Sequence, residues 1–183
     1  MRHRRNWSEK ALPLLVSAIE AISERTGIFC SVAILIASIV IVQEAVVRYV
    51  LRIPTVWQTE VAIYILIMAT FVGAAFTQKH EGHINVDFII SRVSPKVRAN
   101  IIIAVSVIGL VVCIVLARYS WPMWWEATVK WQHSESLWSP PLVWPYILLP
   151  LGMTLLALEY VAYIAKKIMA LRKLSESVKT EEQ

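Results

Sequence analysis

The chain has 183 residues, of which 57% are hydrophobic and 17% charged, with a formal net charge of +5. Soluble domains run nearer about 45–50% apolar and about 25% charged, so this composition argues against a soluble globular fold. The positive charge is not gathered into a nucleic-acid face; it is distributed along the chain in a way that marks membrane sidedness.

Residues 8–24 set Ala11, Leu14, Leu15, Ala18 and Ile22 against Glu9, Lys10, Ser17, Glu20 and Glu24. That is helical periodicity with one polar face, and it predicts an interfacial amphipathic helix. The opening "MRHRRNWSEKALPLLVSAIEA" has the outline of a secretory signal. Its apolar patch is short, contains Pro13 and meets Glu20 at once, which speaks against that reading.

Four stretches carry no Asp, Glu, Lys or Arg: 26–43, 61–78, 99–117 and 136–158. Each reaches the length of roughly 18 residues or more that reads as a membrane span. Backbone in hydrocarbon must bond internally, so each is expected to be a helix. The expected architecture is an all-α integral membrane protein of four transmembrane helices, near 28–47, 57–76, 99–117 and 142–164. They form one domain over 1–173, followed by a polar tail, 174–183, expected to fray. A second interfacial helix is expected near 119–133, on the opposite side from the first.

Arginine and lysine alternate in density. Arg2, Arg4, Arg5, Lys10 and Arg25 precede the first span. Lys79, Arg92, Lys96 and Arg98 fill the second loop, and Lys166, Lys167, Arg172, Lys173 and Lys179 follow the fourth span. The other two loops hold only Arg48 and Arg52, and Arg118 and Lys130. By the positive-inside rule both termini and the second loop face the cytoplasm.

Tryptophan gathers on the other side. Trp121, Trp124, Trp125 and Trp131 share a helical face, and Glu126 and Lys130 stand four apart on another. These indoles suit an aromatic belt in contact with lipid, with a protein contact as the alternative. Ala62, Ala69 and Gly73 form a stripe of small residues along span two, where another helix can approach closely. Cys30 and Cys113 fall at opposite depths, so no disulfide is expected.

"TQKHEGHINVD" concentrates His80, Glu81, His83 and Asp87 just after span two. The histidine spacing is not that of a helical zinc motif, and three or four converging ligands are missing. Asp87 is placed to cap the short helix "FIISRV", with His83 tying the loop down. A membrane metalloenzyme using His80, His83 and Asp87 is the alternative. Glu44 and Arg48, four apart, are placed to pair at the end of span one, and Glu60 is also within reach of Arg48, so Arg48 is expected to bond Glu60 or Glu44. Glu159 lies on span four, where a carboxylate suggests function by default; pairing with Lys79 or Lys166 would neutralise it. An oligomeric four-span exporter using Glu44 or Glu159 is a further alternative. No nucleophile stands beside a base, and no span contains a histidine for a haem axis. The residues imply neither catalysis nor a cofactor.

The runs "RYVLRIPTVWQTE" and "FVGAAFTQKHEGHINVDFI" resemble the small, Q-type membrane subunit of tripartite ATP-independent periplasmic (TRAP) transporters. The matching positions are Arg48, Tyr49, Pro54, Trp57, Glu60, Gly73, Ala74, His83 and Asp87. "SPPLVWPYILLPLG", with Pro141, Tyr146, Pro150 and Gly152, is similar to the start of that family's fourth span. The resemblance implies a bacterial inner-membrane subunit that packs against a large transport subunit. It also implies a periplasmic binding protein that delivers an organic acid for sodium-coupled uptake. Substrate and sodium sites would lie on the large subunit. The interface candidates on this chain are Arg48, Tyr49, Trp57, Glu60, Gly73, His83, Asp87 and Tyr146.

Overall fold

A computed structural model describes residues 5–53, 55–80 and 95–181. Four helices account for nearly all of it: α1 (Arg5–Val46), α2 (Trp57–Lys79), α3 (Pro95–Val129) and α4 (Val143–Glu181). No strand occurs among the described residues, and a lone antiparallel bridge joins His133 to Pro141. All four helices are long and apolar enough to cross a bilayer. The chain is an all-α membrane protein.

Several helices run further than the charge pattern implies. The amphipathic stretch 8–24 is continuous with span one inside α1. Nothing between them breaks the helix: the Thr26 hydroxyl bonds back to the carbonyls of Ile22 (3.0 Å) and Ser23 (2.9 Å). Gly27, the one weak helix former there, is seated against the Phe76 ring. Residues 119–129 likewise continue span three as the last turns of α3. They do not form a separate surface helix, because they pack lengthwise on α4. Trp121 Nε1 donates to Thr154 Oγ1 (3.3 Å), and Ala127 is fully buried. Pro122 sits inside this helix and withholds one backbone bond without ending it. The polar tail is helical to Glu181.

α1 closes through a π-helical turn, Val47–Leu51, and then Arg52, whose φ of 55° is left-handed. The Arg52 N–H bonds the Val47 carbonyl, so the chain reverses within a few residues and α2 returns beside α1. α3 and α4 form a second hairpin. Its link is held by Gln132 N–H to the Ala127 carbonyl (3.0 Å), Leu142 N–H to the Gln132 carbonyl (2.9 Å) and Ser134 N–H to the Pro140 carbonyl (2.9 Å).

The helices pack as a row rather than a closed bundle. α1 lies on α2, α2 on α4, and α4 on α3; α1 touches α4 more narrowly, and α3 has no broad contact with α1 or α2. The contact surfaces are small side chains: Cys30, Ala33 and Ala37 on α1, Ala62, Ala69 and Ala75 on α2, Cys113 and Ala127 on α3, Ala162 on α4. Small residues let helix backbones approach where apolar surface gains nothing by leaving lipid. At Gly152 helix α4 meets the backbone of α2 itself: an added Cβ would lie 2.5 Å from the Phe71 carbonyl carbon and oxygen. At most 33% of the most apolar stretch of any helix is buried within the chain. The remaining apolar surface must meet lipid or another membrane chain.

Candidate functional site

Polar side chains collect at the two ends of the row. At the end where α1 turns into α2, Glu44 is only 8% exposed. Its Oε1 accepts from Thr59 Oγ1 (2.6 Å) and Thr55 Oγ1 (3.2 Å), and it pairs with Arg48 Nη2. Arg48 also donates to Thr55, from Nε to Oγ1 (3.4 Å) and from Nη2 to the carbonyl (3.4 Å). The helix periodicity places Glu44 and Arg48 on one face of α1, and the tight turn brings Thr55 and Thr59 against it. Two helices are thereby fixed in register around one buried carboxylate.

Glu60 is not the partner of Arg48. One residue on from Thr59, it points about 100° further round α2 and away from α1. There its Oε1 accepts from Ser134 Oγ (3.3 Å), which ties α2 to the α3–α4 link. Tyr64 lies near the same carboxylate, hydrogen-bonds Ser134 and is near Tyr146. Tyr49 and Trp57 are exposed, and Gly73 packs on Cys30, 3.5 Å from where a Cβ would be. Of the four indoles singled out, Trp121, Trp125 and Trp131 are exposed. Trp124 is turned inward and meets Trp121 edge-on, at 5.7 Å between ring centroids. Glu126 pairs with Lys130 at 2.5 Å. His83 and Asp87 lie outside the described residues.

At the opposite end, Glu159 is 2% exposed. Its Oε2 accepts from Ser23 Oγ on α1 at 2.9 Å. The lysines expected to neutralise it are engaged elsewhere. Lys79 Nζ bonds Glu24 Oε2 (2.5 Å) and the Glu20 carbonyl (3.1 Å), and Lys166 pairs with Glu20. His80 stacks against Phe76, with its Nδ1 3.1 Å from the Phe76 carbonyl. Glu20 and Glu24 are one turn apart on the same face of α1, which lets them collect a lysine from α2 and another from α4. The partner missed from sequence is Ser23, an unremarkable serine in an amphipathic stretch with no local signal of its role.

Ser23→Ala should leave a buried carboxylate without its donor and cost about 1–3 kcal/mol. Ser23→Thr, which keeps the hydroxyl, should retain most of that. The check is thermal unfolding of the purified subunit in detergent. Equal midpoints for wild type and Ser23→Ala would contradict the assigned bond.

A groove of about 430 Å³ lies between α1 and α2, lined by Gly27, Cys30, Ser31, Ala69, Thr70 and Gly73 among others. The Ser31 and Thr70 hydroxyls donate to their own helix carbonyls, Gly27 (2.9 Å) and Leu66 (2.8 Å). Both cysteines are free and buried. Among the described residues no group of three or more His, Cys, Asp or Glu side chains could hold a metal. Among the described residues the polar side chains tie helices to one another.

A multi-pass helical membrane protein, with Glu44 and Glu159 bonded between helices and much apolar surface left uncovered, is the class these features define. Residues 37–169 match the family model described as tripartite ATP-independent periplasmic transporters, DctQ component. The match spans well over half of the chain, and the chain belongs to that family of transporter components. No curated protein matches it.

Proposed function

We propose that this chain is the small inner-membrane subunit that packs against and stabilises the large transport subunit of a TRAP transporter. A periplasmic binding protein hands over an organic acid, and the large subunit carries it inward with sodium. The observation that supports this reading most is the open row of helices. Each span buries a third or less of its most apolar stretch, and its few buried charges are already committed to intrachain bonds. Such a chain has surface for a partner, and among the described residues no polar groups converge in its groove to hold a substrate. The interface candidates are Arg48, Tyr49, Trp57, Glu60, Gly73, His83, Asp87 and Tyr146, with the Trp121–Trp131 face in contact with lipid or partner.

Both termini and the loop containing His83 face the cytoplasm in this reading, and Trp57 and the α3–α4 link face the periplasm. The motive is the Lys/Arg alternation. Single cysteines at positions 83 and 135, on a background lacking Cys30 and Cys113, give the check. In intact cells an impermeant thiol reagent should label 135 and spare 83. The converse would invert the topology.

The role itself is tested in cells that express the large subunit and the binding protein with or without this chain. Without it, the large subunit should fall in abundance and sodium-dependent uptake of the organic acid should be lost. Unchanged uptake and abundance would contradict the proposal.

A further inference from the structure

The contacts between helices fix their relative heights, and those heights disagree with an upright chain. Gly73 meets Cys30 and Thr59 bonds Glu44, so the charge-free runs 26–43 and 61–78 of α1 and α2 lie side by side. Gly152 meets Phe71, and α4 runs parallel to α2, which puts 142–159 at the same height. α3 is different. Gly109 lies at the Tyr160 ring and Trp121 bonds Thr154. The centre of the α3 charge-free run, 99–117, is therefore displaced by roughly ten to sixteen residues, or roughly 15–25 Å, toward the Lys79 end.

In an upright row the bilayer that fits α1 and α2 would enclose the last turns of α3. Arg118 and Glu126 are both exposed there, facing away from the other helices. Meanwhile Val105, Val107 and Ile108, all exposed, would stand in water beyond the Lys79 end. Charges facing lipid and aliphatic side chains facing water are both unfavourable.

α3 is two helix spacings from α2, roughly 16–20 Å. An inclination of roughly 40°, at the steep end of what spans adopt, brings the α3 run to about the level of the α2 run and shifts those of α1 and α4 by only roughly 6 Å each, in opposite directions. Helix length agrees. α1, α3 and α4 have 42, 35 and 39 residues. An upright crossing needs only about 20, and long apolar helices accommodate their excess by tilting.

We infer that the helix row crosses the bilayer steeply tilted, so that the outer end of the α3–α4 hairpin, residues 118–144, is seated in the phospholipid headgroup layer instead of the hydrocarbon. Arg118 marks the border. Tyr119 (74% exposed), Trp125, Trp131 and Trp144 present amphipathic rings to the headgroups, where such rings are favoured. Naming that side the outer one rests on the orientation proposed above. The displacement of α3 does not, and a reversed topology would leave it standing.

Spin labels on the full chain test this in liposomes of phosphatidylethanolamine and phosphatidylglycerol. Tyr119→Cys and Val107→Cys, each with Cys30→Ser and Cys113→Ser, are compared for collision with oxygen, which concentrates in hydrocarbon, and with a water-soluble nickel complex. A label at 119 should respond more to nickel, and one at 107 more to oxygen. Ile108→Cys and Trp125→Cys, also at exposed positions, form a second pair should either of the first fail to fold. An oxygen-dominated 119 with a nickel-dominated 107 would establish the upright row and overturn the inference. Which side of the liposome the nickel reaches reports topology separately.

Discussion

Replacing Gly152 by leucine is expected to abolish accumulation of folded subunit, and Gly152→Ala to destabilise it by about 1–3 kcal/mol, as overpacking of a tight contact does. The physical reason is the identity of the obstructing atoms. A Cβ at 152 would sit 2.5 Å from the carbonyl carbon and oxygen of Phe71. Backbone atoms inside a helix cannot rotate away, so α4 must move off α2. Gly109 is the informative control. An added Cβ there meets the far end of the Tyr160 side chain, 2.7 Å from its hydroxyl. That ring can swing aside, so Gly109→Ala should be milder. Thermal unfolding midpoints of both variants in detergent test the ranking. Equal losses at the two positions would show that backbone contact is not what holds α2 to α4.

The second large effect is an asymmetry within one ion pair. Arg48→Ala should cost about 2–4 kcal/mol, and Glu44→Ala clearly less. Removing one partner of a buried pair is most harmful when the other stays buried and charged. Glu44 stays buried, at 8% exposure, whereas the Arg48 side chain is 50% exposed and can be hydrated when Glu44 is lost. Thr55 and Thr59 would still donate to Glu44 in the arginine variant, which keeps the loss below that of a wholly unpaired buried charge. In the double variant the penalty should fall back toward that of Glu44→Ala. Unfolding midpoints of the two single variants and the double variant form a complete cycle. A larger loss for Glu44→Ala than for Arg48→Ala would overturn the assignment of the carboxylate as the buried member.

Legibility from sequence followed the range of the interaction. The four spans were readable because each is a run without charge, and hydrocarbon permits little else. Glu44 and Arg48 were readable because they are four apart on one helix. Thr55 and Thr59 were not, since their approach to Glu44 depends on the π-helical turn and the left-handed Arg52, neither of which has a Gly or Asn to announce it. Glu60 was assigned to Arg48 on proximity in the chain; the direction of the side chain around α2 gives it to Ser134. The Ser23–Glu159 bond joins residues 136 apart and has no sequence signature. The continuity of α1 and α3 was hidden for another reason. Charge patterning reports where water and lipid meet, and a helix can cross that border without a break when no residue there stops it.

The proposal that this chain works by packing on a larger membrane partner has a direct biochemical test. The most direct measurement is purification of the affinity-tagged chain, co-expressed with the large transport subunit of the same transporter, followed by mass determination of the detergent-solubilised complex. The two chains should elute together, at one copy each. Elution of this chain alone, as a monomer or an oligomer of itself, beside a folded and abundant large subunit would contradict the proposal.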